Sequence, residues 1–417
     1  MISAQNRLQP LSGNRRFLFI ILALTVAACS PKLQPVSTQP VKSQAQKSTA
    51  NNQATQLVVK PVAPKVPTIA LVLPFGLDHL APGSSYTPVS LREADIALGY
   101  YKGFKLALDS LTASGYNFKL RVYDSKDQKV QAYSLANNAA IRSSDLIVGP
   151  VFPDDVKAFT AVYTIGRQPI VSPLSPASPA NYKNQELVTI IPPLEYHARS
   201  AAKYISTRMH TDKVFILRSG FSDENEYIIP FKKAIDSLSK KRIKVIELTV
   251  VHGQLSSLIP QLSPAGKNIF VVPATDQHFL SVTLRALDSL SKSYPTTVFG
   301  HPNWINFSFL KADLLQRLDT HITSSDHVDY KAENTIAFVK QYRNIYHAEP
   351  NSYAIKGFDE GMYLGRLLAT DSMKNITTVN FSGLHNDFEF EKKPGIGWVN
   401  THVNMYKYAN FELKKAE

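Results

Sequence analysis

The chain has 417 residues, 44% hydrophobic and 19% charged, with a single cysteine, Cys29. That composition excludes a wholly disordered or collagen-like chain and a polytopic membrane protein, and one thiol excludes a disulfide framework or a multi-cysteine metal centre. The formal charge of +13 is front-loaded: Arg7, Arg15, Arg16, Lys32, Lys42, Lys47, Lys60 and Lys65 precede residue 67 with no acid among them. The remainder carries 38 basic against 33 acidic residues, which is no basic stripe and argues against nucleic acid as a partner.

The chain opens on polar residues with Arg15 and Arg16, followed by the apolar run Phe17–Ala28. The run falls short of the roughly 20 residues that span a bilayer and ends in small residues, the plan of a secretory signal over residues 1–28. Val26-Ala27-Ala28-Cys29 resembles the bacterial lipobox, which implies that Cys29 is acylated with palmitate-type chains and becomes the mature N-terminus. The alternative is an unmodified cysteine just after an ordinary cleavage site. Ser30 lacks the aspartate that retains many such lipoproteins at the inner membrane, so the resemblance favours an outer-membrane anchor facing the periplasm. Residues 30–66 hold no aromatic residue and no acid, and read as a solvated tether. Its ends would lie about 33 Å apart as a coil and about 120 Å apart when extended.

From residue 67 onward the pattern alternates strand and helix. Predicted elements are a strand over 68–74, a helix over 98–111, a strand over 119–124, a helix over 130–141, a strand over 145–150 and a helix over 153–165. Strands over 168–173 and 187–191 close this series. The second series is a helix over 195–209, a strand over 213–217, a helix over 224–239, a strand over 243–250 and a helix over 255–262. It continues with a strand over 268–272, a helix over 276–290 and a strand over 297–299. Strands separated by such helices imply right-handed crossovers and parallel sheets covered on both faces. The stretch from Tyr123 through Ile147-Val148-Gly149-Pro150 has the same local plan as Val250 through Phe270-Val271-Val272-Pro273. The predicted fold is therefore α/β, with two Rossmann-like lobes.

Four stretches resemble the type I periplasmic binding proteins, the family that includes branched-chain amino-acid receptors. They are Ile69–Pro74 with Gly99–Phe104; Asp145–Pro150 with Ile170–Ser175; Pro350–Asp359; and Phe381–Leu384 with Phe388–Phe390 and Asn400–Lys407. The resemblance implies a three-strand hinge with crossings near residues 192, 298 and 378. Lobe one would be about 68–192 plus 298–378, and lobe two about 193–297 plus 379–417. It also implies a ligand between the lobes, at loops 75–90, 151–154, 172–178, 221–227, 274–278 and 301–304. Ser172, Ser175 and Ser178 fall where the family holds a ligand carboxylate, Tyr227 near an aromatic that covers the ligand, and Asp276 near an acid that meets its ammonium group. Trp304 is a cleft-lining candidate. Each also has a plain reading: turn chemistry for the serines, a helix N-cap for Asp276, and packing for Tyr227 and Trp304. Phe152-Pro153 departs from the family by removing a hydroxyl and an amide donor.

Catalytic signatures are missing: Gly220-Phe221-Ser222-Asp223-Glu224 lacks the final glycine of a nucleophile elbow, and there is no Walker loop, dinucleotide fingerprint or zinc-protease motif. His321, Asp326, His327 and Asp329 form at best a weak metal pattern, better read as a polar loop. The expectation is a non-enzyme with no cofactor and no metal. Its implied partners are the membrane through Cys29 and a small polar, amino-acid-like ligand delivered to an ABC-type permease or sensed. The alternative rests on Leu120–Asp124 and Asp145–Val151, which also resemble the lipoprotein activators of penicillin-binding proteins. That reading makes the partner a peptidoglycan synthase.

Overall fold

The computed structural model describes residues 66–163, 168–370, 373, 376–377 and 379–416. The expected signal peptide, Cys29 and the tether through residue 65 lie outside them. The first series runs β1 (Thr68–Leu73), α1 (Pro88–Ala113), β2 (Lys119–Asp124), α2 (Lys129–Ala136), α3 (Ala139–Arg142), β3 (Leu146–Val148), α4 (Pro153–Val162), β4 (Ile170–Ser172) and β5 (Leu187–Thr189). The second runs α5 (Leu194–Arg208), β6 (Lys213–Arg218), α6 (Asn225–Leu238), β7 (Lys244–Thr249), β8 (Asn268–Val272), α7 (Gln277–Leu290), β9 (Thr296–Gly300), α8 (Ala312–Arg317) and β10 (His321–Ser324). The chain then forms α9 (Glu333–Tyr346), α10 (Ser352–Ala369), β11 (Phe381–Ser382), β12 (Asp387–Phe388), β13 (Phe390–Lys393), β14 (Gly397–Asn400), β15 (Asn404–Ala409) and β16 (Glu412–Lys415).

Local chemistry sets several boundaries that apolar periodicity misplaces. Helix α1 begins well before residue 98 because Thr87 and Ser90 form a reciprocal capping box and Pro88 occupies the first turn. The single helix expected over 130–141 is broken into α2 and α3, with Asn138 capping the second through the Ala140 amide. The helix expected over 255–262 is a 3-10 segment, Ser256–Gln261, interrupted by Pro260.

Two seven-stranded sheets result, in the orders β13-β14-β5-β4-β3-β1-β2 and β16-β15-β10-β9-β8-β6-β7. The series β5-β4-β3-β1-β2 and β10-β9-β8-β6-β7 are topological copies with parallel pairing throughout, so the two-lobe repeat read from sequence is present. The central strands β1 and β8 are sealed on both faces, as their unbroken apolar runs require.

The lobe boundaries differ from expectation. The chain stays with the second sheet through β10, returns to the first lobe with α10 and β13–β14, and re-enters the second sheet at β15. Lobe one is thus about 68–192 plus 325–400, and lobe two about 193–324 plus 401–416; the crossings expected near 298 and 378 fall near 325 and 401. The reason is β10, whose sequence His-Ile-Thr-Ser is fully buried although mostly polar. It bears no apolar signature, yet it pairs with both β9 and β15.

Lobe one is closed by the crossing of α1 over α10. A Cβ added at Gly103 would lie 1.9 Å from the Ala354 carbonyl oxygen, and one at Gly357 would lie 2.2 Å from that of Tyr100. The backbones approach so closely that only glycine fits at either position. Two residues past Gly357, the buried Asp359 carboxylate accepts hydrogen bonds from the backbone amides of Leu384 and His385 and pairs with His385 Nδ1. It ties α10 to the turn between β11 and β12. Among the described residues no helix is long and apolar enough to cross a membrane.

Candidate functional site

A cavity of about 520 Å³ lies between the lobes, at the carboxyl ends of the parallel strands. Five of the six expected loops reach it; loop 75–90 contributes no lining residue. Its lobe-two wall is mixed: Asp223, Glu224, Glu226 and Tyr227 follow β6, Thr275 follows β8, and His301, Asn303 and Asn306 follow β9, interleaved with Leu194, Pro273, Pro302 and Ile305. Its lobe-one wall is Pro153, Pro176, Ala177 and Ile191, and the crossing strands add Pro192, Ser324, Ser325 and Asp326.

The lobe-two wall is anchored from behind. Glu224 is buried and its carboxylate accepts from the Ser219 amide at 2.9 Å, the Ser219 hydroxyl at 2.9 Å and the Gly220 amide at 3.2 Å. Arg218 Nε stands 3.7 Å away. This network fixes the turn into α6, so Asp223, Glu226 and Tyr227 are presented by a held loop. His301 caps the turn after β9 by accepting the Asn303 amide at Nδ1, 3.1 Å, and its ring lies tilted against Tyr227. His197 on α5 shares a 3.1 Å hydrogen bond with Thr323 of β10. At the crossing, Lys356 of α10 pairs with Asp326.

Burial sets the protonation of this wall. The His197 ring is pushed down to about 3 by burial, with the neighbouring His301 adding to the effect. His301 is pushed down to about 4 by burial, partly offset by Asp223. Both rings are neutral at ordinary pH. Tyr227 is pushed up by burial, and its hydroxyl has no hydrogen-bond partner among the described residues.

Of the residues expected to hold the ligand, only Tyr227 lines the cavity. Ser172 ends β4 with a buried, unpartnered hydroxyl away from the lining. Ser175 is buried and shares a 3.3 Å contact with the Tyr182 hydroxyl, while Ser178 donates to Glu195 at 3.4 Å. The intervening Pro176 and Ala177 face the cavity instead, because the two serines are engaged on their own side of the loop. Asp276 is the N-cap of α7, accepting the Phe279 amide at 2.7 Å, and is not part of the lining. Trp304 is a core residue of lobe two; its indole donates to the Ala274 carbonyl at 2.9 Å. In the structure these side chains close a strand (Ser172), hold a loop (Ser175, Ser178), cap a helix (Asp276) and fill a core (Trp304). Cys29 lies outside the described residues. His321 is stacked on Phe299, and no cluster of metal-binding side chains occurs among the described residues.

Sequence reading missed His197, Thr275, Asn303, Asn306, Ser324 and Ser325. The available signal was position after a parallel strand, which marked loops 221–227 and 301–304 but could not show which side chains turn inward.

No protein-family model matches the chain, and no curated protein matches it in sequence. Solved structures do match its fold. One is a protein from Rhodospirillum rubrum described as a branched-chain amino acid ABC transporter, 14% identical, covering 84% of this chain and 100% of that one at a TM-score of 0.61. Another is an ABC transporter substrate-binding protein from Desulfitobacterium hafniense in complex with Leu, 17% identical, with the same coverage and a TM-score of 0.54. A third is the C-domain of LpoA from Haemophilus influenzae, a regulator of PBP1A, 12% identical, covering 84% and 100% at a TM-score of 0.56. The chain thus has the two-lobed α/β fold of the type I periplasmic binding proteins, a fold also found in LpoA.

Proposed function

We propose, from that shared fold, that the chain is a non-catalytic binding protein of the bacterial cell envelope. It would be anchored through Cys29, at the outer membrane in preference to the inner, and capture a small polar ligand between its lobes. The observation that carries the reading is the cavity itself. It has the volume of a small-molecule site and sits where two parallel sheets direct their loops, with polar groups converging from one wall. Such a ligand would pass to a permease or act as a signal.

The test is thermal unfolding of the full chain with amino acids, short peptides and wall-derived sugars. A ligand that binds only the folded state raises the melting temperature with concentration. Thr275→Trp, which fills the cavity from its rim, removes that shift. Intact mass of the protein from bacterial membranes tests the anchor: acyl chains on Cys29 are expected, and an unmodified mature cysteine refutes it.

A second reading is regulation of a peptidoglycan synthase. It is favoured by the lobe-one wall, whose Pro153, Pro176, Ala177 and Ile191 offer no side-chain donor to a ligand. Direct binding of a purified penicillin-binding protein, unaffected by Thr275→Trp, together with no shift from any small molecule, would establish it in place of the first.

A further inference from the structure

We infer that the interlobe cavity selects a small organic cation, an ammonium group accompanied by a carbonyl or hydroxyl acceptor, and rejects carboxylates. The inference rests on the binding reading above and specifies its ligand.

Charge comes first. Among the described residues no lysine or arginine lines the cavity, whereas Asp223, Glu224, Glu226 and Asp326 do. Two of these acids are already compensated, Glu224 by Arg218 and three donors, and Asp326 by Lys356. Asp223 and Glu226 are not: neither has an ion-pair partner among the described residues. Asp223 is engaged only by the Glu224 amide at 3.1 Å. The two histidines of the wall are neutral and supply no balancing charge. The cavity therefore presents two uncompensated carboxylates and no cation, a field that concentrates positive ligands and repels anions.

Independent of the acids, one buried ring bears a donor with no protein partner on the same wall. His301 is 7% exposed, lines the cavity and receives the Asn303 amide at Nδ1. A neutral ring that accepts at Nδ1 carries its proton at Nε2. That Nε2–H has no partner among the described residues, and it is not among the fully enclosed unpartnered atoms, so it is reachable from the cavity. In the open cavity that donor is met by water, and a ligand that displaces the water keeps the bond only by offering an acceptor in its place. Asn303, Asn306, Thr275, Ser324 and Ser325 complete a lining suited to neutral polar groups.

The opposite wall excludes the usual anion sites. Helix α4 starts on Pro153, which has no N–H to offer an anion at that helix end. In loop 172–178, Ser175 and Ser178 are committed to Tyr182 and Glu195, and Ser172 is buried away from the lining. A ligand carboxylate placed here would meet proline rings and no side-chain donor.

The experiment uses the full chain and the twenty amino acids, each as the free acid and as its carboxamide. The carboxamide keeps the ammonium and a carbonyl acceptor and removes only the negative charge. Expected are melting-temperature shifts from one or more carboxamides, with affinity at least tenfold above the matching free acid. Asp223→Asn with Glu226→Gln should remove that preference while the unliganded melting temperature stays put, since both side chains are exposed. Free acids that bind as tightly as their carboxamides overturn the charge inference and leave cavity binding standing. An unchanged carboxamide preference in the double variant overturns the assignment of the two acids. No shift from either set overturns the inference together with the binding reading.

Discussion

Replacing Asp359 separates a structural from a ligand-binding role for the Pro350–Asp359 motif. Its carboxylate receives three donors: the Leu384 amide on one oxygen, and the His385 amide and imidazole on the other. In Asp359→Asn the amide oxygen can still accept the Leu384 N–H, but the NH₂ group then faces two donors. Turned the other way, the amide oxygen accepts both His385 donors and the NH₂ group faces only the Leu384 N–H. One buried backbone donor is left unmet, which costs about 1–3 kcal/mol. In Asp359→Ala all three donors are orphaned, so the loss should be at least twice as large. Urea unfolding followed by circular dichroism and tryptophan fluorescence measures both. The chain's two tryptophans divide between the lobes, Trp398 in β14 and Trp304 in lobe two. Loss of Trp398 burial should therefore come first, with cavity binding unchanged at low denaturant. An alanine variant within about 1 kcal/mol of wild type would show that the triple contact does not hold α10 to its turn.

Acid should destabilise the fold through His197 and His301. Unfolded, both rings take a proton near pH 6.5, whereas the folded rings resist until about 3 and about 4. Stability is therefore full above pH 6.5 and falls as pH drops, by about 1.4 kcal/mol per unit for each ring; urea midpoints between pH 7 and 4 test it. Asp155 runs the other way: burial and the nearby Asp127 and Asp154 raise its carboxyl to about 7. The stability it contributes at low pH is lost as pH rises from about 4 to 7, so Asp155→Asn should stabilise the chain at pH 8 and matter little at pH 3.5. Asp276→Ala should cost about 1 kcal/mol through the lost α7 cap and leave cavity affinity unchanged; a large loss of affinity would restore Asp276 to the site.

The legibility of the fold follows the solvent exposure of its strands. Runs such as Ile69–Leu73 and Asn268–Val272 are sealed on both faces and announce themselves as apolar blocks. Strand β10 is just as buried, but its polar side chains are satisfied by neighbours brought from afar, as Thr323 is by His197, and composition cannot show that. The lobe assignment failed for this reason. In the site, position after a strand identified the loops, while the inward side chains were decided by hydrogen bonds local to each loop. Ser175 and Ser178 found partners in Tyr182 and Glu195, and Asp276 found the α7 amide. Tyr227, singled out by its likeness to a family aromatic, lies at the start of a helix directly after a strand-end turn.

The most direct test of ligand capture between the lobes is electron density in crystals of the full chain purified from its own envelope without denaturation. The account predicts a small molecule in the cavity, with an acceptor within hydrogen-bond reach of His301 Nε2 and a positive group facing Asp223 and Glu226. A cavity holding only water, in protein that binds a purified peptidoglycan synthase, would contradict it.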